Sequence, residues 1–247
     1  MATKRMLIDA SHPEETRVLI VNKNKLEDFD VEFEARRPLK GNIYLAKVTR
    51  VEPSLQAAFV DFGGNRHGFL AFNEIHPDYY QIPVADREAL IAEARAEADA
   101  AHPEDDEETV SEDKNVVETL GGDDIEEIEA QRPTRHRRKY KIQEVIKRRQ
   151  ILLVQAVKEE RGTKGAALTT FLSLAGRYCV LMPNTDRGGG ISRKIGNVSD
   201  RKRLKSVVSD LGISEGMAVI VRTAGAKRSK AEIRRDYDYL LRLWNQV

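Results

Sequence analysis

Between residues 41 and 72 the apolar positions come in short runs broken by turn residues, a pattern that predicts strands. Residues 43–51 are apolar and β-branched. Pro53 and Ser54 break the run, residues 55–62 form a second, Gly63-Gly64-Asn65 signal a turn, and residues 68–72 begin a third strand. Upstream, residues 5–10 and 16–22 are short apolar runs split by Ser11-His12-Pro13, and a hairpin turn is expected at Asn22-Lys23-Asn24. Two or three such strands are too few to stand alone and must join a sheet formed elsewhere. Downstream, residues 150–157 predict a strand that closes a barrel. A charged turn over 158–165 then leads into a new subdomain with strands over 167–174, 178–182 and 217–223. The period changes to helical over 199–211, where Leu204, Val207, Val208 and Leu211 align, with Ser199 or Asp200 as N-cap and Gly212 as stop. A second helix over 230–244 places Ile233, Tyr237, Leu240, Leu241 and Trp244 on one face.

Charge changes this picture by its distribution, since the net charge of the 247 residues is only +1. Residues 85–130 hold 18 Asp/Glu against 3 Lys/Arg, and residues 131–149 hold 9 Lys/Arg against 1 Glu. The Ala-rich residues 86–101 predict a helix, and like-charge repulsion over 102–130 predicts disorder. This acidic stretch is either a mobile insertion that folds back on the basic run and competes with nucleic acid, or a solvated loop without a role. The single cysteine, Cys179, excludes a disulfide framework and a Cys-based zinc site. No apolar run reaches the length of a membrane span, and the first residues lack a signal core, so a cytoplasmic setting is expected.

Basic and aromatic residues interleave along the strands of 41–72: Lys47, Arg50, Arg66 and His67 with Tyr44, Phe59, Phe62, Phe69 and Phe72. Cations attract phosphates and flat rings give bases a stacking surface, which suggests an OB-type barrel that binds a single strand. An aromatic on a strand is also an ordinary core residue. Phe59 and Phe62 have opposite parity, so one can be core while the other is exposed, and parity does not say which. His67 reads as a nucleic-acid contact or plain surface rather than a catalytic group. Arg222-Thr223 closes a strand before Ala224-Gly225, where a turn could bring both to one anion; alone, the pair is a weak motif.

The stretches V-x-x-V-x-P-x-x-x-A-A-F-V-D-F-G, R-H-G-F-L, K-E-E-R-G-x-K-G-A-A-L-T-T, GGISR and RTAG, in this order along the chain, resemble the ribonuclease E/G family. The resemblance implies an α+β, multi-subdomain fold. Residues 1–38 would begin an RNase H-like sheet, and 39–168 an S1 (OB-fold) barrel with an acidic insertion at about 85–135. Residues 169–228 would form a 5′-sensor α+β subdomain, and 229–247 a helix leading back to the RNase H-like part. It further implies that Phe59 is exposed and Phe62 internal, and that Phe59, Phe69, Lys164, Arg66 and His67 bind RNA. Arg222 and Thr223 would sense a 5′-monophosphate, with Gly176 and Val180 lining the pocket and Arg193 supporting it. The implied enzyme is a magnesium-dependent endoribonuclease that cuts A/U-rich single-stranded RNA in mRNA decay and in rRNA and tRNA processing. Its catalytic carboxylates, and a zinc link, are expected outside this chain, which would be the substrate-gripping part and inactive alone. Homo-tetramer assembly, degradosome proteins bound through a C-terminal region, and a cytoplasmic location peripheral to the inner membrane are implied for the full protein. The motifs leave the E and G branches open. A non-catalytic S1-type RNA-binding module and a ribosome-associated adaptor are the other classes.

Overall fold

The computed structural model describes residues 4–33, 38–63, 66–101, 140–159, 165–185 and 190–247, with the backbone alone for 94–101. Lys164, the acidic stretch after residue 101 and the glycines of the loop before Gly190 lie outside the described residues. The chain divides into two units, Met1–Lys40 and Gly41–Val247.

The first unit is an antiparallel sheet, β1 (Lys4–His12), β2 (Glu15–Asn22) and β3 (Lys25–Phe33). Lys23, at φ 57°, makes the tight turn that pairs Asn22 with Lys25, where the sequence predicts a hairpin. None of the residues 4–33 is buried, and Met6, Leu7, Ile8 and Phe29 are each more than half exposed. The sheet therefore has no core of its own.

The second unit opens with a closed barrel in the order β4-β5-β6-β8-β7, compatible with an OB-fold. Its strands are β4 (Ile43–Glu52), β5 (Ala57–Asp61), β6 (His67–Ala71), β7 (Ile151–Lys158) and β8 (Ala166–Thr169). Alternation sends Ala46, Val48, Val60, Leu70, Leu152, Val154 and Leu168 inward, all sealed from solvent. A helix α1 (Val84–Ala101) follows the first three strands, and a single turn α2 (Ile142–Val145) precedes β7. Ile142 N–H donates to the Gln56 side chain, tying that turn to the β4–β5 connection.

Closure departs from the sequence expectation. Residues 150–157 do not close the barrel alone: β7 pairs with β4, and β8 inserts between β7 and β6, parallel to the latter. Gly165 permits this, because a Cβ there would lie 2.2 Å from the His67 carbonyl oxygen. The strand expected over 167–174 ends at Thr169, because Thr170 turns its N–H and hydroxyl onto the Glu74 carbonyl (2.9 and 2.8 Å).

Beyond the barrel lies a sheet in the order β11-β12-β10-β9, built of β9 (Leu174–Ala175), β10 (Cys179–Met182), β11 (Gly190–Ile191) and β12 (Ala218–Val221). Helices α3 (Val198–Ser209) and α4 (Lys230–Gln246) supply the rest of its core. Cys179, Leu181, Val219 and Val221 pack with Leu204 and Val207 and with Ile233, Tyr237 and Leu240. The N-cap of α3 is Asn197, not Ser199 or Asp200. Its side chain accepts from both of their N–H groups, which satisfies two orphan donors at once. Ser229 and Glu232 form a capping box at α4, and the Ser229 N–H and hydroxyl hold the Glu232 carboxyl below its ordinary range. Among the described residues no helix is long and apolar enough to cross a membrane.

Burial, and secondarily the charge of Asp236, pushes the Cys179 thiol up from its ordinary value to about 12. Iodoacetamide is therefore expected to label Cys179 only through unfolding. The unfolded thiol ionises first, so this group lowers stability as pH rises from about 9 toward 12. Fast labelling of the native chain at pH 8 would contradict this packing.

Candidate nucleic-acid interface

Two rings stand on the outside of the barrel. Phe59 on β5 and Phe69 on β6 are register partners, half-buried, with centroids 5.9 Å apart in an edge-on arrangement. Phe62 is 2 % exposed and lies inside, so the parity left open by the sequence resolves with Phe59 outward. A β-bulge brings a cation to the pair. Val48 pairs with Val60 and Arg50 with Phe59, which leaves Thr49 as the extra residue. The insertion flips the alternation of β4, so Arg50 faces outward and lays its guanidinium 4.8 Å from the Phe59 centroid. The Thr49 hydroxyl donates to the Phe59 carbonyl and fixes the bulge (2.9 Å). This surface can stack bases and attract phosphates.

Arg66 stands at the turn that leads into β6. Its guanidinium folds over Tyr44 and Phe62, 5.2 and 5.1 Å from the centroids, and its Nε donates to Gly63 O (3.0 Å). It closes its own turn. His67 is exposed at the start of β6, opposite Asp61.

Arg222, Thr223, Gly176 and Arg193 gather at one end of the four-stranded sheet. β12 stops at Val221, Arg222 is extended and half-buried, and Thr223 is exposed at the head of a 3-10 turn over Thr223–Gly225. Arg222 Nη1 donates to the Gly176 carbonyl and its N–H to the Tyr178 carbonyl (2.8 Å each). Arg193 is exposed just past β11, where Ser192 N–H donates to Val221 O (2.9 Å), so its segment runs beside Arg222. Val180 is sealed in the middle of β10 and can act only through packing.

Asp236 of α4 organises this end, and the sequence reading missed it. Its carboxylate accepts from the N–H groups of Arg177, Tyr178 and Cys179 at 3.1, 2.7 and 2.9 Å. Gly176 lies against it so closely that a Cβ would sit 2.6 Å from Oδ2. The guanidiniums of Arg177 and Arg228 both lie over the Tyr178 ring, 5.5 and 5.4 Å from its centroid. One carboxylate thus fixes the loop whose carbonyls orient Arg222. The only sequence signal was an acid on the helix flank beside the buried Tyr237.

A family model described as the Ribonuclease E/G family matches residues 173–247, the part that holds this sheet and both of its helices. The chain is 41% identical over 245 residues to Ribonuclease E of Buchnera aphidicola, covering 99% of this chain and 21% of that protein. To Ribonuclease E of Escherichia coli it is 40% identical over 244 residues, covering 99% and 18%. To Ribonuclease G of Escherichia coli it is 32% identical over 245 residues, covering 99% and 40%. The chain spans about a fifth of the length of the ribonuclease E relatives it matches.

Replacing Asp236 by Ala would strip three backbone donors of their acceptor. Urea unfolding is expected to show a loss of about 1–3 kcal/mol, with Asp236→Asn, which keeps one acceptor oxygen, losing less. A midpoint unchanged in both variants would remove Asp236 from this role.

Proposed function

We propose that this chain, a member of the ribonuclease E/G family, is the RNA-gripping N-terminal part of an endoribonuclease of the ribonuclease E type. The observation that carries the reading is the arginine-backed ring pair on the barrel's outer face. Single-stranded RNA lies on this face, with bases against Phe59 and Phe69. The 5′-monophosphate lies at the far end, held by Arg222 and Thr223, with Gly176 and Val180 shaping the pocket and Arg193 adding charge. Phosphate recognition by a guanidinium depends on holding its plane, and the Gly176 carbonyl does this through Arg222 Nη1. Lys164 adds a basic contact to the barrel in this reading.

The rest of the enzyme supplies the cut. Among the described residues no three His, Cys, Asp or Glu side chains gather into one shell. Magnesium for strand cleavage, the zinc link, tetramer contacts and degradosome partners belong to other parts of the full protein, which acts in the cytoplasm. Identity favours the E branch over G, whose relative matches less closely.

A charge-assisted contact of about 1.5–3 kcal/mol corresponds to roughly 10–100-fold in affinity. Arg222→Gln is expected to lower the preference for 5′-monophosphorylated over 5′-hydroxyl RNA by that factor, with 5′-hydroxyl binding nearly unchanged. Fluorescence anisotropy with the two oligomers reads the ratio. A wild-type ratio in the variant would move the phosphate pocket elsewhere.

A further inference from the structure

The barrel carries a second basic feature beside the Phe59 ring. An open pocket of about 540 Å³ lies between the bulged part of β4 and the turn that leads into β7. Its lining includes Thr49, Arg50, Gln143, Lys147 and Arg148, over the buried Ile146, and among the described residues it holds three cations and no carboxylate. Among the described residues two acids lie close by, and both are engaged. The Glu144 carboxylate accepts from the Lys141 N–H at 2.8 Å, and Glu52 makes a loose ion pair with Arg50 Nε at 3.9 Å, which leaves Lys147 and Arg148 as the pocket's other cations.

The turn that presents these cations is built firmly. Arg149 N–H donates to Val48 O (2.8 Å) and Val48 N–H to Gln150 O (2.9 Å), which staple the turn to β4 just before the bulge. The Gln150 side chain accepts from Lys147 N–H at 3.1 Å. Arg149 itself sits at φ 71°, in the left-handed region. A residue with a Cβ costs about 1–2 kcal/mol there, so glycine or asparagine would suit the backbone better. The chain instead runs Lys147-Arg148-Arg149 through the turn, all three exposed.

We propose that Arg50, Lys147 and Arg148 form a phosphodiester subsite for single-stranded RNA, taking the backbone next to the base stacked on Phe59. Arg50 is shared: its guanidinium covers the Phe59 ring and also lines the pocket. A base on the ring and its own phosphate in the pocket are thus held by one continuous surface. Lys147 acts as a point charge and the arginines as forks for phosphate oxygens. The subsite rests on the reading of the barrel as an RNA-binding surface and extends it to groups outside strands β5 and β6.

The test uses the whole chain and a 5′-hydroxyl oligouridylate of about 12 nucleotides, so the terminal-phosphate pocket plays no part. Affinity is measured across a salt series for wild type, Lys147→Gln/Arg148→Gln, Phe59→Ala, and a charge-matched control, Lys202→Gln/Lys205→Gln, on exposed positions of α3. Each lost phosphate contact lowers the slope of log K against log salt by about 0.7, or about 1.4 for two. The Lys147/Arg148 variant is expected to lose about tenfold in affinity at low salt and to show that smaller slope. The control should keep the wild-type slope, and the charge-preserving exchange Lys147→Arg/Arg148→Lys should restore binding. An unchanged slope in the Lys147/Arg148 variant, while Phe59→Ala weakens binding, overturns the subsite and leaves the RNA surface standing. An equal loss in the α3 control overturns it too, since bulk charge would then suffice. If wild type does not bind, or Phe59→Ala binds like wild type, the RNA surface itself fails and the subsite falls with it.

Discussion

A strand in a closed barrel has two sides, and every second residue must go to each. In this protein that constraint places Phe59 and Phe69 where their rings cannot be sealed, while Val60 and Leu70, one residue on, fill the interior. Full burial of a large ring contributes about 1.5–3 kcal/mol, and leaving it partly in water forgoes a fraction of that. The rings partly cover each other and Arg50 covers one face of Phe59. The single extra residue at Thr49 makes that cover possible, because without it Arg50 would point into the barrel. Base stacking on such rings is worth about 1–3 kcal/mol per base, enough to offset the burial forgone. The fold thus leaves unfinished, on one face, what a single strand of RNA can complete.

The other end of the same unit follows a different logic. There a charged side chain is held by backbone rather than exposed on a strand. Three consecutive N–H groups converge on the Asp236 carboxylate, and the carbonyls of the same loop, at Gly176 and Tyr178, receive Arg222. Acid, loop and guanidinium form a chain of contacts from α4 to the end of β12. Its effect is to fix the direction of one cation, and preorganisation of this kind would reduce the cost of holding an anion there in the reading proposed above.

Much of this was legible in the sequence because it is local. The runs over 43–51, 55–62 and 68–72 became β4, β5 and β6 with ends shifted by one or two residues. The apolar stripe of α4 became its buried face, with Ile233, Tyr237 and Leu240 sealed. Opposite parity of Phe59 and Phe62 told that one ring faces in, though not which. What escaped was non-local or lacked a residue signature. The insertion of β8 between β6 and β7 depends on a backbone approach at Gly165 across about a hundred residues. The bulge at Thr49 has no glycine to mark it. Asp236 meets its amide partners 57 to 59 residues away, and nothing in the spacing of a helical aspartate announces that. The aromatic neighbours of Arg66, Tyr44 and Phe62, likewise come from parts of the chain that its place between turn and strand did not announce.

The central claim is that the outer face of β5 and β6 is where RNA is held. Titrating a 5′-hydroxyl oligouridylate into the ¹⁵N-labelled chain and following its amide resonances tests this most directly. The account predicts that the largest shifts cluster at Arg50, Phe59 and Phe69, while the core positions Cys179 and Val219 stay still. Shifts concentrated in the β10–β12 sheet, with Phe59 and Phe69 unmoved, would contradict it.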